Sequence, residues 1–302
     1  MTETPPPAPL PTPATLIADF LRLLTVEPLG EDRFLGRRKP GGVGRVFGGQ
    51  VIAQALAAAE LTVTQNRAPH SLHAYFLRGG SENHEIEYRI ERDFDGGSFS
   101  NRRVIASQQG VPILNLTASF HRREDGVAHQ DTMPDVPGPD GLPSETELGR
   151  RNIDLPPEAM RLIALRAKSI EMRPVNSETW TRRTPSEPAS AAWFRTVAPL
   201  PDDPRLHRAA LTYATDYTLL ATCVLPHSLS WMTDEMQAAS LDHAVWFHDD
   251  FRADEWLLYA TDSPWAGRGR GFNRGRIFTA DGRLVAEAAQ EGLVRRVKPK
   301  GQ

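Results

Sequence analysis

The chain has 302 residues, a formal net charge of −3 from 35 basic and 38 acidic residues, and a single cysteine, Cys223. This balance provides no global attraction to nucleic acid or an acidic membrane surface, and one cysteine excludes an intramolecular disulfide and a Cys-cluster zinc site. No apolar run reaches the ~20 residues of a membrane helix, and the length suits two domains better than one core.

Met1 to Pro13 is Pro-rich without a basic or apolar signal region, and reads as a disordered tail (residues 1–13) on a cytoplasmic protein. Ala14 to Leu24 patterns as a short amphipathic helix, and Phe34 to Phe47 as a strand with loops. Gly48 to Leu61 is the clearest helix of the first half, with Val51, Ala55, Leu56 and Ala59 on one stripe. Four strands follow at His70–Arg78, His84–Asp93, Ser98–Ala106 and Pro112–Arg122. In the last, Leu114, Leu116, Ala118 and Phe120 alternate with Asn115, Thr117 and Ser119. From Arg123 the composition shifts to Pro, Gly and Asp, with a short helix expected at Pro157–Leu165. Strands near Ser169–Arg173 and Ala191–Val197 precede a helix from Pro204 to Val224. Strands near Ser240–His248, Trp256–Asp262, Gly271–Thr279 and Leu284–Arg296 complete the chain.

The second half replays the first. His73-Ala74-Tyr75-Phe76 returns 170 residues later as His243-Ala244-Val245-Trp246, and Ala118 aligns with Gln290. A period this long indicates two similar units, at 14–122 and 161–302, joined by a linker at 123–160. Each is a long helix plus a mainly antiparallel sheet, so the class is α+β.

The copies differ in their polar residues. Asp216 is the only Asp, Glu, Lys or Arg from Ala209 through Pro226, so no local ion pair satisfies it. Two readings stand: a desolvated general base facing a cavity, or a cap or buried backbone-bonded carboxylate. Gln290 falls on the face of Leu284, Ala286 and Ala288, where it is a site residue or a core hydrogen bond. Ser240 opens the strand carrying His243; alone, it reads first as a strand-start serine. Arg268, Arg270 and Arg274, set among glycines, suit either phosphate or a solvated loop. His70 and His73 lack a ligand set, so no metal site is read, and Cys223 reads as core.

Val46-Phe47-Gly48-Gly49-Gln50-Val51, His73-Ala74-Tyr75-Phe76, Leu241-Asp242-His243-Ala244-Val245-Trp246-Phe247-His248, Arg270-Gly271-Phe272-Asn273-Arg274-Gly275 and Gln290-Glu291-Gly292 occur in an order that resembles the acyl-CoA thioesterase II family, from about Phe20 to Arg296. The resemblance implies a tandem double hotdog, each unit a long central helix wrapped by a curved antiparallel sheet. It also implies an active site of Asp216, Ser240 and Gln290. The implied reaction needs no cofactor: Asp216 activates a water that Ser240 and Gln290 hold in line with the thioester carbonyl of acyl-CoA. Gly48 and Gly49 are candidate oxyanion donors, and Arg268, Arg270 and Arg274 candidate contacts for CoA. A homodimer or homotetramer is expected from the family. A hotdog enoyl-CoA hydratase using Asp242 and His243, and a non-catalytic acyl-CoA-binding protein, are the alternatives, although adjacent strand residues face opposite ways.

Overall fold

The computed structural model describes residues 11–39, 42, 44–64, 66–151, 168–177, 184–227 and 236–297. Most of the tail and the helix expected at Pro157–Leu165 lie outside these residues. Helix α1 (Pro13–Leu24) starts where Thr12 accepts a hydrogen bond from the Thr15 N–H and Pro13 supplies a preset φ, and it buries Ile17, Phe20, Leu23 and Leu24. A hairpin follows, β1 (Val26–Gly30) and β2 (Arg33–Gly36). Helix α2 (Gly48–Glu60) is buried along almost its whole length, and its small residues let neighbouring elements approach closely.

Strands β3 (Ala68–Phe76), β4 (Ile86–Asp95), β5 (Phe99–Gln108) and β6 (Val111–His121) pack on α2. The alternation expected for β6 is present: Leu114, Leu116, Ala118 and Phe120 are all buried. A short helix, α3 (Glu145–Arg151), precedes β7 (Ile170–Pro174) and β8 (Ala189–Thr196).

The long helix expected from Pro204 to Val224 is two pieces. Helix α4 (Pro204–Thr215) ends at Asp216, its C-cap, and a 3-10 segment runs from Leu219 to His227. Helix α4 packs on α2 and α1, while the 3-10 segment packs on the sheet. Helices α2 and α4 are antiparallel. The start of α2 meets Asp216, and at the other end Glu60 pairs with Arg208 at 2.6 Å.

The last strands are β9 (Met236–Ser240), β10 (Asp242–Phe247), β11 (Leu257–Gly267), β12 (Arg270–Thr279) and β13 (Leu284–Arg296). All strands join one antiparallel sheet in the order β1-β2-β4-β5-β6-β3-β10-β13-β12-β11-β8-β7, with β9 also on β13. The order mirrors itself about the β3–β10 pair.

Register corrects the sequence alignment of the two halves. His73 is exposed and His243 fully buried, so the 170-residue offset sets opposite faces against each other. Leu72 pairs with Ala118, which pairs with Arg102; in the second half Gln290 pairs with Asn273 and lies beside His243. With Ala118 set against Gln290, as the sequence suggested, Leu72 and Arg102 fall opposite His243 and Asn273, and the match of His73 with His243 is then one residue out.

Candidate active site

Asp216, Ser240 and Gln290 meet. Gln290 Nε2 lies 2.6 Å from Asp216 Oδ1 and 3.1 Å from Ser240 Oγ, and Ser240 Oγ donates to Asp216 Oδ1 at 3.3 Å. The local chain path explains each placement. Asp216 stands where α4 stops, so its carboxylate leaves the helix surface and turns toward the start of α2. Gln290 is on the buried face of β13.

Ser240 does not open the strand of His243, as the sequence suggested; it closes β9. Ser240 pairs with Gly292 and Ala244 with Ala289, so four steps on one side oppose three on the other. The extra residue is a bulge. In an unbroken strand, positions three apart face opposite sides. The bulge resets the alternation, and both Ser240 and His243 reach Gln290 Nε2.

Burial raises the Asp216 carboxyl from 3.8 to about 6, against hydrogen bonds from Gln290, the Gly49 backbone N–H and Ser240. A group titrating there suits a general base near neutral pH. Gly48 is needed for close approach: a Cβ at that position would lie 2.7 Å from Asp216 Oδ2 and 2.8 Å from the Phe76 ring. Gly49 is a donor, but its N–H serves Asp216.

A cavity of about 450 Å³ opens beside this group, lined by Val46, Phe47, Gly48, Leu220, Ala238 and Ala239 among others, and by Asp216 and Ser240. Gln290 is fully buried and lines no part of it; it stands behind Asp216 and Ser240. The three arginines of the Gly-rich run are not in the lining either. Arg274 pairs with Asp262 at 2.6 Å, Arg270 with Glu291 at 3.3 Å, and Arg268 has φ of 51° at the β11–β12 turn. The basic residue at the cavity is Arg45, which makes no ion pair with a described residue.

Sequence reasoning missed Arg45 and gave His243 no part in the triad. Arg45 precedes the Val46-Phe47-Gly48-Gly49 stretch, and that adjacency was the available signal. Asp242 and His243 do not form an acid–base pair. The Asp242 carboxylate accepts from the Glu291 N–H at 2.6 Å, while His243 turns inward to Gln290 and Thr215. His243 Nδ1 is 3.9 Å from Asp216 Oδ1, but burial holds the imidazole down at about 3, so it is neutral and the contact is no ion pair.

Residues 165–293 match the acyl-CoA thioesterase family, and residues 37–121 the acyl-CoA thioesterase N-terminal domain. Human acyl-coenzyme A thioesterase 8 is 40% identical over 286 residues, 92% of this chain and 89% of that protein. The crystal structure of an acyl-CoA thioesterase II from Mycobacterium marinum, 39% identical, superposes with a TM-score of 0.75 over 93% of this chain and 98% of that one. A hotdog-fold protein of unknown function from Alicyclobacillus acidocaldarius, 19% identical, has a TM-score of 0.72 over 92% and 98% of the two chains, which makes the hotdog fold plain. With both family regions matched in order, the chain belongs to the acyl-CoA thioesterase II family.

Proposed function

We propose that this acyl-CoA thioester hydrolase works by direct attack of water, with Asp216 as general base and Ser240 and Gln290 setting its geometry. The observation that carries the reading is a single buried carboxylate, raised to about 6, bonded to Ser240 and Gln290 at the wall of a cavity. Asp216 takes a proton from water as the oxygen attacks the carbonyl carbon. Ser240, the other lining member of the triad, holds that water, and Gln290 acts through both neighbours. The Gly48 N–H, at the positive end of α2, stabilises the developing oxyanion. When the C–S bond breaks, the thiolate takes the proton back from Asp216, giving a free acid and CoA thiol. The apolar lining takes the acyl chain, and Arg45 attracts the phosphates.

We read the architecture as two tandem hotdog units, at 14–122 and 161–302, with 123–160 between them. The mirrored strand order and the exchange of Leu72 and Ala118 for His243 and Gln290 support this. Only the later copy carries the polar set.

The test is thiol release from short, medium and long acyl-CoAs by the wild type and by Asp216→Asn. Turnover lost with the substitution supports the mechanism, and undiminished turnover removes Asp216 from it. Binding without turnover in the wild type would indicate a sensor; loss of enoyl absorbance would indicate a hydratase.

A further inference from the structure

We propose that His243 is a positioning residue for the reaction: it locks the Gln290 amide in one orientation so that Nε2 faces Asp216 throughout turnover. The inference rests on the reading of Asp216, Ser240 and Gln290 given above.

The hydrogen-bond directions follow from one fixed end. The Thr215 hydroxyl donates to the Thr212 carbonyl at 2.8 Å. Its single proton is thereby used, so at its 2.9 Å contact with His243 Nε2 it accepts. Nε2 therefore carries the imidazole proton. Because the ring is neutral, Nδ1 is a bare acceptor, and it takes a proton from Gln290 Nε2 at 3.0 Å. The second Gln290 N–H goes to Asp216 Oδ1 at 2.6 Å, shared with Ser240 at 3.1 Å. A backbone carbonyl thus sets the order Thr212–Thr215–His243–Gln290–Asp216.

The lock has a purpose because the other contacts of the amide do not fix its orientation throughout turnover. Gln290 Oε1 is buried and takes no hydrogen bond from a described residue. On the Nε2 side, Asp216 changes state during catalysis. Once it holds the proton from water it can donate, and with that proton on Oδ1 it matches Oε1 as well as the carboxylate matched Nε2. An amide that turned over would capture that proton in a bond to Oε1 and delay its return to the leaving thiolate. His243 Nδ1 opposes the turn, because an oxygen facing it would set two acceptors together. The ring stays neutral across the working range, since burial keeps it at about 3. The other titratable groups around Asp216 are Tyr259 of β11, whose hydroxyl donates to the Thr215 carbonyl, and Tyr217, Glu82 and Arg45 of the cavity lining. Tyr259, Glu82 and Arg45 make no described contact with Gln290.

Leu72 occupies the mirrored place in the first half, where Ala118 stands for Gln290 and no amide needs holding. His243→Leu is therefore a substitution of a size the fold already accommodates. It should lower kcat about 10²-fold, the scale of a misplaced group, with KM little changed. It should also move the acid limb of the pH profile upward, because Asp216 loses a steady donor. His243→Asn, which can set an amide oxygen near the place of Nδ1, should recover most of kcat, a rescue that a purely structural role would not predict. In the wild type, ¹⁵N resonances of the labelled imidazole should show a protonated Nε2 and an unprotonated Nδ1. A folded His243→Leu enzyme with unchanged kcat and pH profile, or an imidazole protonated on Nδ1, would overturn the proposal. If His243→Leu fails to fold, the ¹⁵N spectrum and His243→Asn decide. Wild type and Asp216→Asn run in the same assay keep the two levels apart: an inactive wild type or an active Asp216→Asn defeats the catalytic reading, whereas an unaffected His243→Leu beside an inactive Asp216→Asn defeats only the lock.

Discussion

Asp216→Asn should make the protein more stable at pH 8 while removing its activity. The carboxyl is raised from 3.8 to about 6 because burial disfavours its charge. For an acid whose folded pKa lies above the unfolded one, ionisation costs stability. The cost is absent below about pH 3.8, grows as the pH rises through about 6 and is complete at pH 8. The rise of roughly two pH units is worth about 3 kcal/mol at about 1.4 kcal/mol each. Asparagine keeps the shape and removes the charge, and its oxygen still accepts from Gln290. It loses one partner, the Gly49 N–H, at a cost of about 1 kcal/mol, leaving a net gain of roughly 2 kcal/mol. Urea unfolding at pH 8 and pH 4 measures this: the variant should lead at pH 8 and lose that lead at pH 4. Thiol release should fall by at least about 10²-fold, the lower range for a general base. A variant no more stable than wild type at pH 8 would refute the burial argument, and one that turns over normally would refute the catalytic one.

The wild-type rate should rise tenfold per pH unit below about 6 and level off above it, since only ionised Asp216 accepts a proton; a profile flat from pH 5 to 8 would contradict this. Gly48→Ala should lower kcat about 10²-fold without unfolding the chain, because the new methyl meets Asp216 Oδ2 and the Phe76 ring; steady-state kinetics with a circular dichroism control will tell. Arg45→Ala should raise KM for acyl-CoA and leave KM for an acyl N-acetylcysteamine thioester unchanged, and equal effects on both would remove Arg45 from phosphate recognition.

Some of this was legible in the residues and some was not. Asp216 stood out because an isolated charge in an apolar stretch has no local partner, and Gln290 because it interrupts the buried face of β13. Ser240 was assigned to the wrong strand because a bulge depends on the pairing partner, which a single strand's pattern does not contain. The end of α4 carries no Gly or Pro. The run Thr212, Tyr213, Thr215, Asp216, Tyr217, Thr218 is merely poor in helix formers, a weak signal that tertiary packing decides. Strand β1 escaped because it is short and Pro28 argues against pairing; it is an edge strand, where proline is tolerated. Helix α3 was missed despite its capping box: Ser144 and Glu147 bond reciprocally, but the motif lies within the Pro- and Gly-rich stretch. The repeat was read from its polar signposts, and its His73–His243 match set an exposed position against a buried one because a like-for-like histidine match outweighed the alternation of faces.

Gly48 and Gly49 come from one half of the chain and Asp216, Ser240 and Gln290 from the other, and the halves meet along β3–β10 and α2–α4. On the proposed mechanism, turnover is a readout of assembly. A protease nick in the exposed run from Arg123 to Asp131 should leave a working enzyme, since neither seam crosses the cut. The two fragments produced separately should be inert, and mixing them should restore hydrolysis only as fast as they dock, making the chain its own split reporter.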